Sequence, residues 1–263
     1  MKYDYLVSII MPAYNSEPYI RNTIKSVIGQ SYDNWELIIV DDNSTDNTKE
    51  IIEDIAKSCD KIVYFRFNEN KGAAEARNKA ISMAKGRFIA FLDSDDIWSE
   101  DKLKIQVDYM LENNIHFSFS DYEVISNEGE ILKTVQMPHK LSYEGYLRNP
   151  IIQTLTVMID RNYIDDIYMP ILKRRQDFAC WLKILKKGEM AYSINKVLGK
   201  YRRANNSLSS NKIKAVKGTW YVYRNLENLS LIKSLYYFVG YSYNACKKRI
   251  YPKKYLKRLG NKI

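Results

Sequence analysis

Histidine is almost missing from this 263-residue sequence, and cysteine is sparse and scattered. Two histidines, His116 and His139, are too few for a histidine-rich zinc centre. The three cysteines, Cys59, Cys180 and Cys246, lie too far apart for a Cys-x-x-Cys metal site, and their odd number argues against a disulfide framework. That usage suits a reducing compartment. A long apolar run is lacking as well. The opening "MKYDYLVSIIMP" holds only a short apolar stretch before Pro12. It is too short for a signal peptide's apolar region and far too short for a bilayer span, and reads as the first strand of a cytoplasmic protein. No internal repeat or low-complexity linker interrupts the chain.

Acidic residues are scarce at one end only. From Asn211 onward there are 13 Lys and Arg against a single acid, Glu227, whereas the preceding 210 residues carry 28 basic and 30 acidic side chains. The net charge of +10 therefore belongs to the tail.

What is present is a core. The apolar fraction of 46% is ample for a globular α/β domain. "LVSIIM" (6–11), "WELIIV" (35–40), "IVYFRF" (62–67) and the apolar run 88–92 read as strands, continuous enough to be buried on both faces. Between them, Ser16 and Pro18 open a helix carrying Ile20, Ile24, Val27 and Ile28, with Gly29 near its end. Ser44 or Thr45 is expected to cap a second helix with Ile51, Ile52 and Ile55 inward. An alanine-rich third spans 73–85. This alternation predicts right-handed crossovers and a mainly parallel sheet. Further on, 117–125 and 130–135 flank "SNEG" as a hairpin, 154–159 and 197–203 read as strands, and Asp177 begins a helix with Phe178, Trp181, Leu182 and Leu185 on one face, stopped near Gly188.

In such sheets ligands bind outside the strands' carboxyl ends. Two acidic clusters are predicted on that edge. In "FIAFLDSDDIW" a buried strand runs straight into Asp93, Asp95 and Asp96, whose mutual repulsion folding alone does not explain. Hard oxygen ligands there suit Mg²⁺ or Mn²⁺ shared with substrate phosphates. A turn capping the next helix would also use these acids. An EF-hand fails, because Trp98 and Lys104 stand where Gly and Glu are needed, and an aspartyl-phosphate loop would follow the first strand, not the fourth. Asp41-Asp42 ends the second strand, where a carboxylate could accept a pyrimidine N–H or ribose hydroxyls. In "NENKGAAEARNKAI", Gly72, Ala73 and Ala76 let a helix start close to the sheet, and Arg77 could reach a diphosphate or simply lie exposed. Tyr14 in "MPAYN" could stack on a base or fill a turn, and Asp177 in "RRQDFACW" could be no more than a helix cap.

Together these stretches resemble glycosyltransferase family 2, the inverting nucleotide-sugar transferases of GT-A fold. The resemblance runs from "VSIIMPAYNSEPYIRNTIKSVIGQSYDNWELIIVDDNSTDNT" through "NKGAAEARNKAI" and "GRFIAFLDSDDIW" to "LRNPIIQTLTVMI", "QDFACWLKILKKG" and "YRRANNSLSSN". It implies a Rossmann-like, mostly parallel sheet flanked by helices. Residues 1–98 would form a nucleotide-binding half and 99–210 an acceptor-binding half. It also implies roles. Pro12, Ala13 and Tyr14 would line the nucleobase pocket, with Asp42 on the uracil N–H and Arg77 near base or diphosphate. Ser94 and Asp95 would touch the nucleotide sugar, and Asp93, Asp95 and Asp96 would supply the Mn²⁺ or Mg²⁺ ligands. Asp177 would be the general base. The family's Glu-Asp pair reads Gln176-Asp177 here, so its first carboxylate is missing. The Gln-x-x-Arg-Trp signature and membrane spans of processive members are absent, which favours a hexosyltransferase adding one sugar from a UDP-sugar to a lipid-linked acceptor of surface polysaccharide or lipopolysaccharide. A nucleotidyltransferase would need a Gly-rich, Lys-containing loop after the first strand, and "MPAYNSEPY" is not one. The basic, tyrosine-rich residues 211–263 suit a helical extension lying on an anionic membrane from the cytoplasmic side. No nucleic-acid motif accompanies them. A non-catalytic adaptor on a transferase scaffold is the alternative that Gln176 and this tail leave open.

Overall fold

Strands whose every residue is apolar must be covered on both sides, and the first half of the chain is built that way. The computed structural model describes residues 4–203 and 212–250. β1 (Val7–Ala13), β2 (Trp35–Asp41) and β4 (Phe88–Phe91) are buried throughout, and β3 (Ile62–Arg66) is half-buried beside β2. All four are parallel, in the order β3-β2-β1-β4. Alternate residues feed two cores. Ile10, Ile38, Val40, Ile89 and Phe91 pack with the small face of α3 (Ala73–Met83), namely Ala74, Ala76 and Ala80. Val7, Ile9, Met11, Leu37, Ile39 and Phe88 pack with Ile20, Ile24 and Val27 of α1 (Ile20–Ile28) and Ile52 of α2 (Thr48–Ala56).

The second half extends the same sheet. After the short β5 (Ile97–Trp98) come α4 (Lys102–Glu112), β6 (Phe117–Ile125), β7 (Ile131–Val135), β8 (Lys140–Leu141) and α5 (Tyr143–Arg148). β9 (Met158–Asp160), α6 (Gln176–Lys186) and β10 (Ala191–Arg202) follow. β9 inserts antiparallel between β4 and β6, and β10 runs parallel to β6 with two register shifts. The sheet is therefore parallel in its first half and mixed in its second. The hairpin over 117–135 forms as expected. The predicted strand 154–159 is instead a 3-10 turn, Thr154–Thr156, followed by β9. β10 begins six residues earlier than the predicted 197–203 strand. The expected caps differ too. Ser44 bonds back to Asp41 instead of capping α2, and α6 starts at Gln176, one residue before Asp177, with no side-chain cap.

α7 (Lys212–Tyr221), a π-helical turn (Val222–Leu226) and α8 (Leu231–Ile250) complete the described chain. Val222, Tyr223 and Tyr237 enter the same core as Trp181 and Phe178. Glu227 is buried, accepting from Tyr143 Oη at 2.6 Å and pairing with Lys186 Nζ at 3.0 Å. These helices are thus tied to α5 and α6. The basic patch at 253–258 lies outside the described residues. Among those described, no helix is long and apolar enough to cross a membrane.

Among the described residues, one lysine side chain is fully buried without a polar partner. Lys102 is fully buried, its Nζ has no hydrogen-bond partner, and it sits 3.8 Å from the centroid of the Trp98 ring. Burial holds its pKa well below the ordinary lysine value. An uncompensated buried polar group costs about 1–3 kcal/mol, so Lys102→Met should raise the thermal midpoint, by about 2–4 °C per kcal/mol in a chain of this size. The folded pKa is depressed, so the penalty is absent above the unfolded lysine pKa of about 10 and grows as pH falls toward the folded value. Melting curves across that range should show the advantage of the variant shrinking as pH rises. An equal or lower midpoint at neutral pH would mean that the ring compensates the charge.

Candidate active site

Both predicted acidic clusters lie at the carboxyl edge of the parallel strands, but their members do different jobs. Asp41 is completely buried. Its Oδ1 accepts from the Ser44 amide and hydroxyl, and its Oδ2 accepts from Tyr64 Oη and lies 3.3 Å from Arg66 Nε. It is an anchor for the loop after β2. Asp42 turns the other way. Its Oδ1 accepts from the Lys71 amide at 2.6 Å and its Oδ2 from the Gly72 amide at 2.8 Å. Gly72, at φ +90°, holds a conformation that L side chains rarely adopt and so presents that amide at the start of α3. A carboxylate has about four lone-pair sites, so Asp42 retains acceptor capacity.

The second cluster divides similarly. Asp93 accepts from Arg77 Nη2 at 2.5 Å, and Arg77 Nη1 donates to Gln176 Oε1 at 2.9 Å. Burial opposes charge on Arg77, but Asp93, with Asp177 and Asp95, more than offsets it and raises its pKa. Asp95 is pushed up to about 6 by burial and by the neighbouring Asp93 charge. Asp96 is 1% exposed, and its pKa is raised by burial and then by Asp95 and Asp93. Its Oδ1 accepts the backbone N–H of Arg202 at 2.8 Å. Ser94, expected on the nucleotide sugar, is buried with its hydroxyl 2.6 Å from that of Ser16. Pro12 and Ala13 are buried at the end of β1, whereas Tyr14 is 49% exposed and free to stack.

An open cavity of about 550 Å³ gathers Asp93 and Asp95 from the turn after β4, Arg77 from α3, and Gln176 and Asp177 from α6. Asp177 Oδ2 stands 3.5 Å from Thr154 Oγ1, too long for a strong bond, so that carboxylate is open to a ligand. Asp42, Tyr14 and Asp96 do not line this cavity. Sequence reasoning overlooked three contributors. Gln153 and Thr154 enter from the turn before β9, and Lys173, Arg174 and Arg175 from the loop before α6. Arg202 is the third. Its Nε donates to the Asp95 carbonyl at 2.9 Å and its Nη1 to the carbonyls of Ser126 and Asn127, while its guanidinium lies 4.8 Å from the Tyr19 ring centroid. It clamps the acidic turn from β10. The run of three cations before "QD" was visible in the sequence, whereas the role of Arg202 depends on a long-range contact.

Two acidic side chains, a buried arginine and the Asp177 carboxylate thus share one cavity, and sequence comparison gives the chain a family. The sequence model of glycosyl transferase family 2 matches residues 8–170. The chain belongs to glycosyl transferase family 2. It is 49% identical to the putative teichuronic acid biosynthesis glycosyltransferase TuaG of Bacillus subtilis (strain 168), over 93% of this chain and 98% of that protein. It is 42% identical to WfgD of Escherichia coli, a UDP-Glc:α-D-GlcNAc-diphosphoundecaprenol β-1,3-glucosyltransferase, over 95% of this chain and 98% of that one. The mannosyltransferase PcManGT of Pyrobaculum calidifontis, solved with GDP-Man and Mn²⁺, superposes with a TM-score of 0.68 at 17% identity, covering 98% of this chain and 79% of that chain. The protein is a family 2 glycosyltransferase with the GT-A fold.

Proposed function

We propose that this enzyme transfers a single sugar from a UDP-sugar to a hydroxyl of a lipid-linked acceptor in the synthesis of a bacterial surface polysaccharide, with inversion and with help from Mn²⁺ or Mg²⁺. The observation that carries the reading is the shared cavity, which joins the acidic edge at Asp93 and Asp95 to the open carboxylate of Asp177. The reaction of WfgD supports UDP as the nucleotide and a diphosphate-linked lipid as the acceptor, and the teichuronic acid pathway of TuaG supports a polysaccharide product. On this reading Tyr14 stacks on the base at the edge of β1, where Pro12 and Ala13 form the wall. Asp42, held by the Lys71 and Gly72 amides, accepts the uracil N–H.

A divalent cation fits the acidic turn. Asp93 and Asp95 both line the cavity, and a cation there would offset both the burial and the Asp93 repulsion that raise Asp95. Among the described residues no three His, Cys, Asp or Glu converge on one point. Asp93 and Asp95 would therefore be the protein's share, with phosphate oxygens and water as the rest. Asp96, bonded to the Arg202 amide, would orient the turn instead of binding the ion. When bound, the cation would supply charge neutralisation at the departing diphosphate.

Asp177 takes the proton from the acceptor hydroxyl as that oxygen bonds to the anomeric carbon and the bond to UDP breaks. One displacement inverts the centre, so an α-linked donor gives a β-glycoside, the linkage named for WfgD. Arg77, paired with Asp93 and Gln176, keeps the two ends of the site in register. Asp177→Asn should lower kcat by about 10²–10⁴-fold, the usual share of a general base, with UDP affinity unchanged by titration calorimetry. Near-normal turnover in that variant would remove Asp177 from the mechanism.

The same reading places the C-terminal helices on the membrane that holds the acceptor. Ile232, Leu235, Val239 and Tyr243 recur along one face of α8 and are all exposed, Ile232 at 81% and Val239 at 68%. Glu227, the segment's one acid, is turned inward, so the surrounding surface is basic and apolar. Each Lys or Arg near an anionic surface adds about 1 kcal/mol. The full chain should float with phosphatidylglycerol vesicles and less with phosphatidylcholine, and Ile232→Glu with Val239→Glu should abolish flotation while leaving UDP binding intact. Equal flotation of variant and wild type would contradict the placement.

A further inference from the structure

We propose that Lys173, Arg174 and Arg175 form a binding site for a diphosphate, and that the diphosphate is the one carried by the acceptor. The proposal rests on the transferase reading above and adds a ligand subsite to it. All three cations line the cavity that Asp177 lines, and they directly precede the helix on which Asp177 sits. Arg175 is held in place. Its backbone is left-handed at φ +66°, a conformation that strains a non-glycine residue and gathers at binding sites, and its Nη2 donates to Tyr241 Oη at 3.0 Å. The N-terminus of α6 opens at the same point with no side-chain cap among the described residues, so its first amides add partial positive charge.

Chain spacing argues for the acceptor as the source. A general base acts on a hydroxyl of the acceptor sugar, and a diphosphate on that sugar's anomeric carbon lies one ring away from the hydroxyl. The cations sit on the loop that leads directly into the helix carrying Asp177, so one cavity offers a base and a cationic wall to the two ends of such an acceptor. A plain sugar hydroxyl needs no cationic wall, and on the reading above a cation at the acidic edge would answer the donor's phosphates. The bond from Arg175 to Tyr241 also ties this wall to α8, so a lipid leaving the diphosphate would emerge beside the helix whose outer face is apolar.

The test is a paired kinetic and binding experiment on the full chain and on Lys173→Gln/Arg174→Gln. Arg175 is left intact because its contacts support the loop, and thermal melting checks that the variant folds. Two synthetic acceptors are compared, GlcNAc α-linked through a diphosphate to a short alkyl chain, and the same glycoside without the diphosphate. UDP affinity is measured separately by calorimetry. The expected result is wild-type preference for the diphosphate acceptor, a KM for it raised about 10–100-fold in the variant, loss of the preference, and unaltered UDP affinity. Weakened UDP binding with an unmoved acceptor KM would assign the cations to the donor's diphosphate and overturn the proposal. No change in either quantity would make the wall a solvated surface and overturn it too. If the wild-type protein binds no UDP and transfers nothing, the transferase reading itself fails, an outcome distinct from wild-type transfer without preference between the acceptors.

Discussion

A buried guanidinium holds this site together. Arg77, on the first turns of α3, reaches Asp93 at the end of β4 with one nitrogen and Gln176 at the start of α6 with another. Three elements distant in sequence are fixed by one planar group whose geometry tolerates little error. The small residues of α3 are what allow it. Ala74, Ala76 and Ala80 bring the helix close to β1 and β2, and Gly72 turns the chain into the helix while its amide is held by Asp42. The departure from the family's Glu-Asp pair finds a structural account here. The amide oxygen of Gln176 accepts from Arg77 as a carboxylate oxygen would, and its Nε2 donates to the Leu172 carbonyl. What is lost is a negative charge, which leaves Asp93 as the anionic partner bonded directly to Arg77.

That charge balance governs the acidic turn. Three carboxylates within four residues are tolerated because each is answered differently. Asp93 has Arg77, Asp96 has the Arg202 amide in the buried floor, and Asp95 faces the cavity with its pKa raised. Arg202 stiffens the turn through the Asp95 carbonyl without contacting its carboxylate in the hydrogen-bond network described. The turn is therefore preorganised on its inner side and electrostatically unfinished on its outer side, the condition in which a cation bound with a diphosphate adds most.

Much of this was legible in the residues, for identifiable reasons. Uninterrupted apolar runs announced β1, β2 and β4, because only strands covered on both faces are written that way. The carboxyl-edge rule then located Asp41, Asp42 and the Asp93 cluster without coordinates. Within each cluster the sequence could not say which acid points where. Asp41 and Asp42 differ only in the side of the strand end they occupy, and the same parity hides Ser94 and Asp96 while Asp95 faces out. α4 escaped notice because Lys102 and Gln106, polar residues, occupy inward positions and blur its pattern. The early part of β10 was obscured by its register shifts between Ser193 and Gly199. The mixed second half of the sheet depends on β9 inserting between β4 and β6, a long-range choice that no local pattern encodes.

On the proposed reading, the acidic edge at Asp93 and Asp95 receives a nucleotide diphosphate together with a divalent cation. Titration of the protein with UDP by calorimetry, first with Mn²⁺ and then with EDTA, addresses it without any acceptor. Saturable binding with Mn²⁺ that EDTA abolishes is the predicted result. Binding of equal strength in both conditions would leave the cation no part in holding UDP and contradict the account.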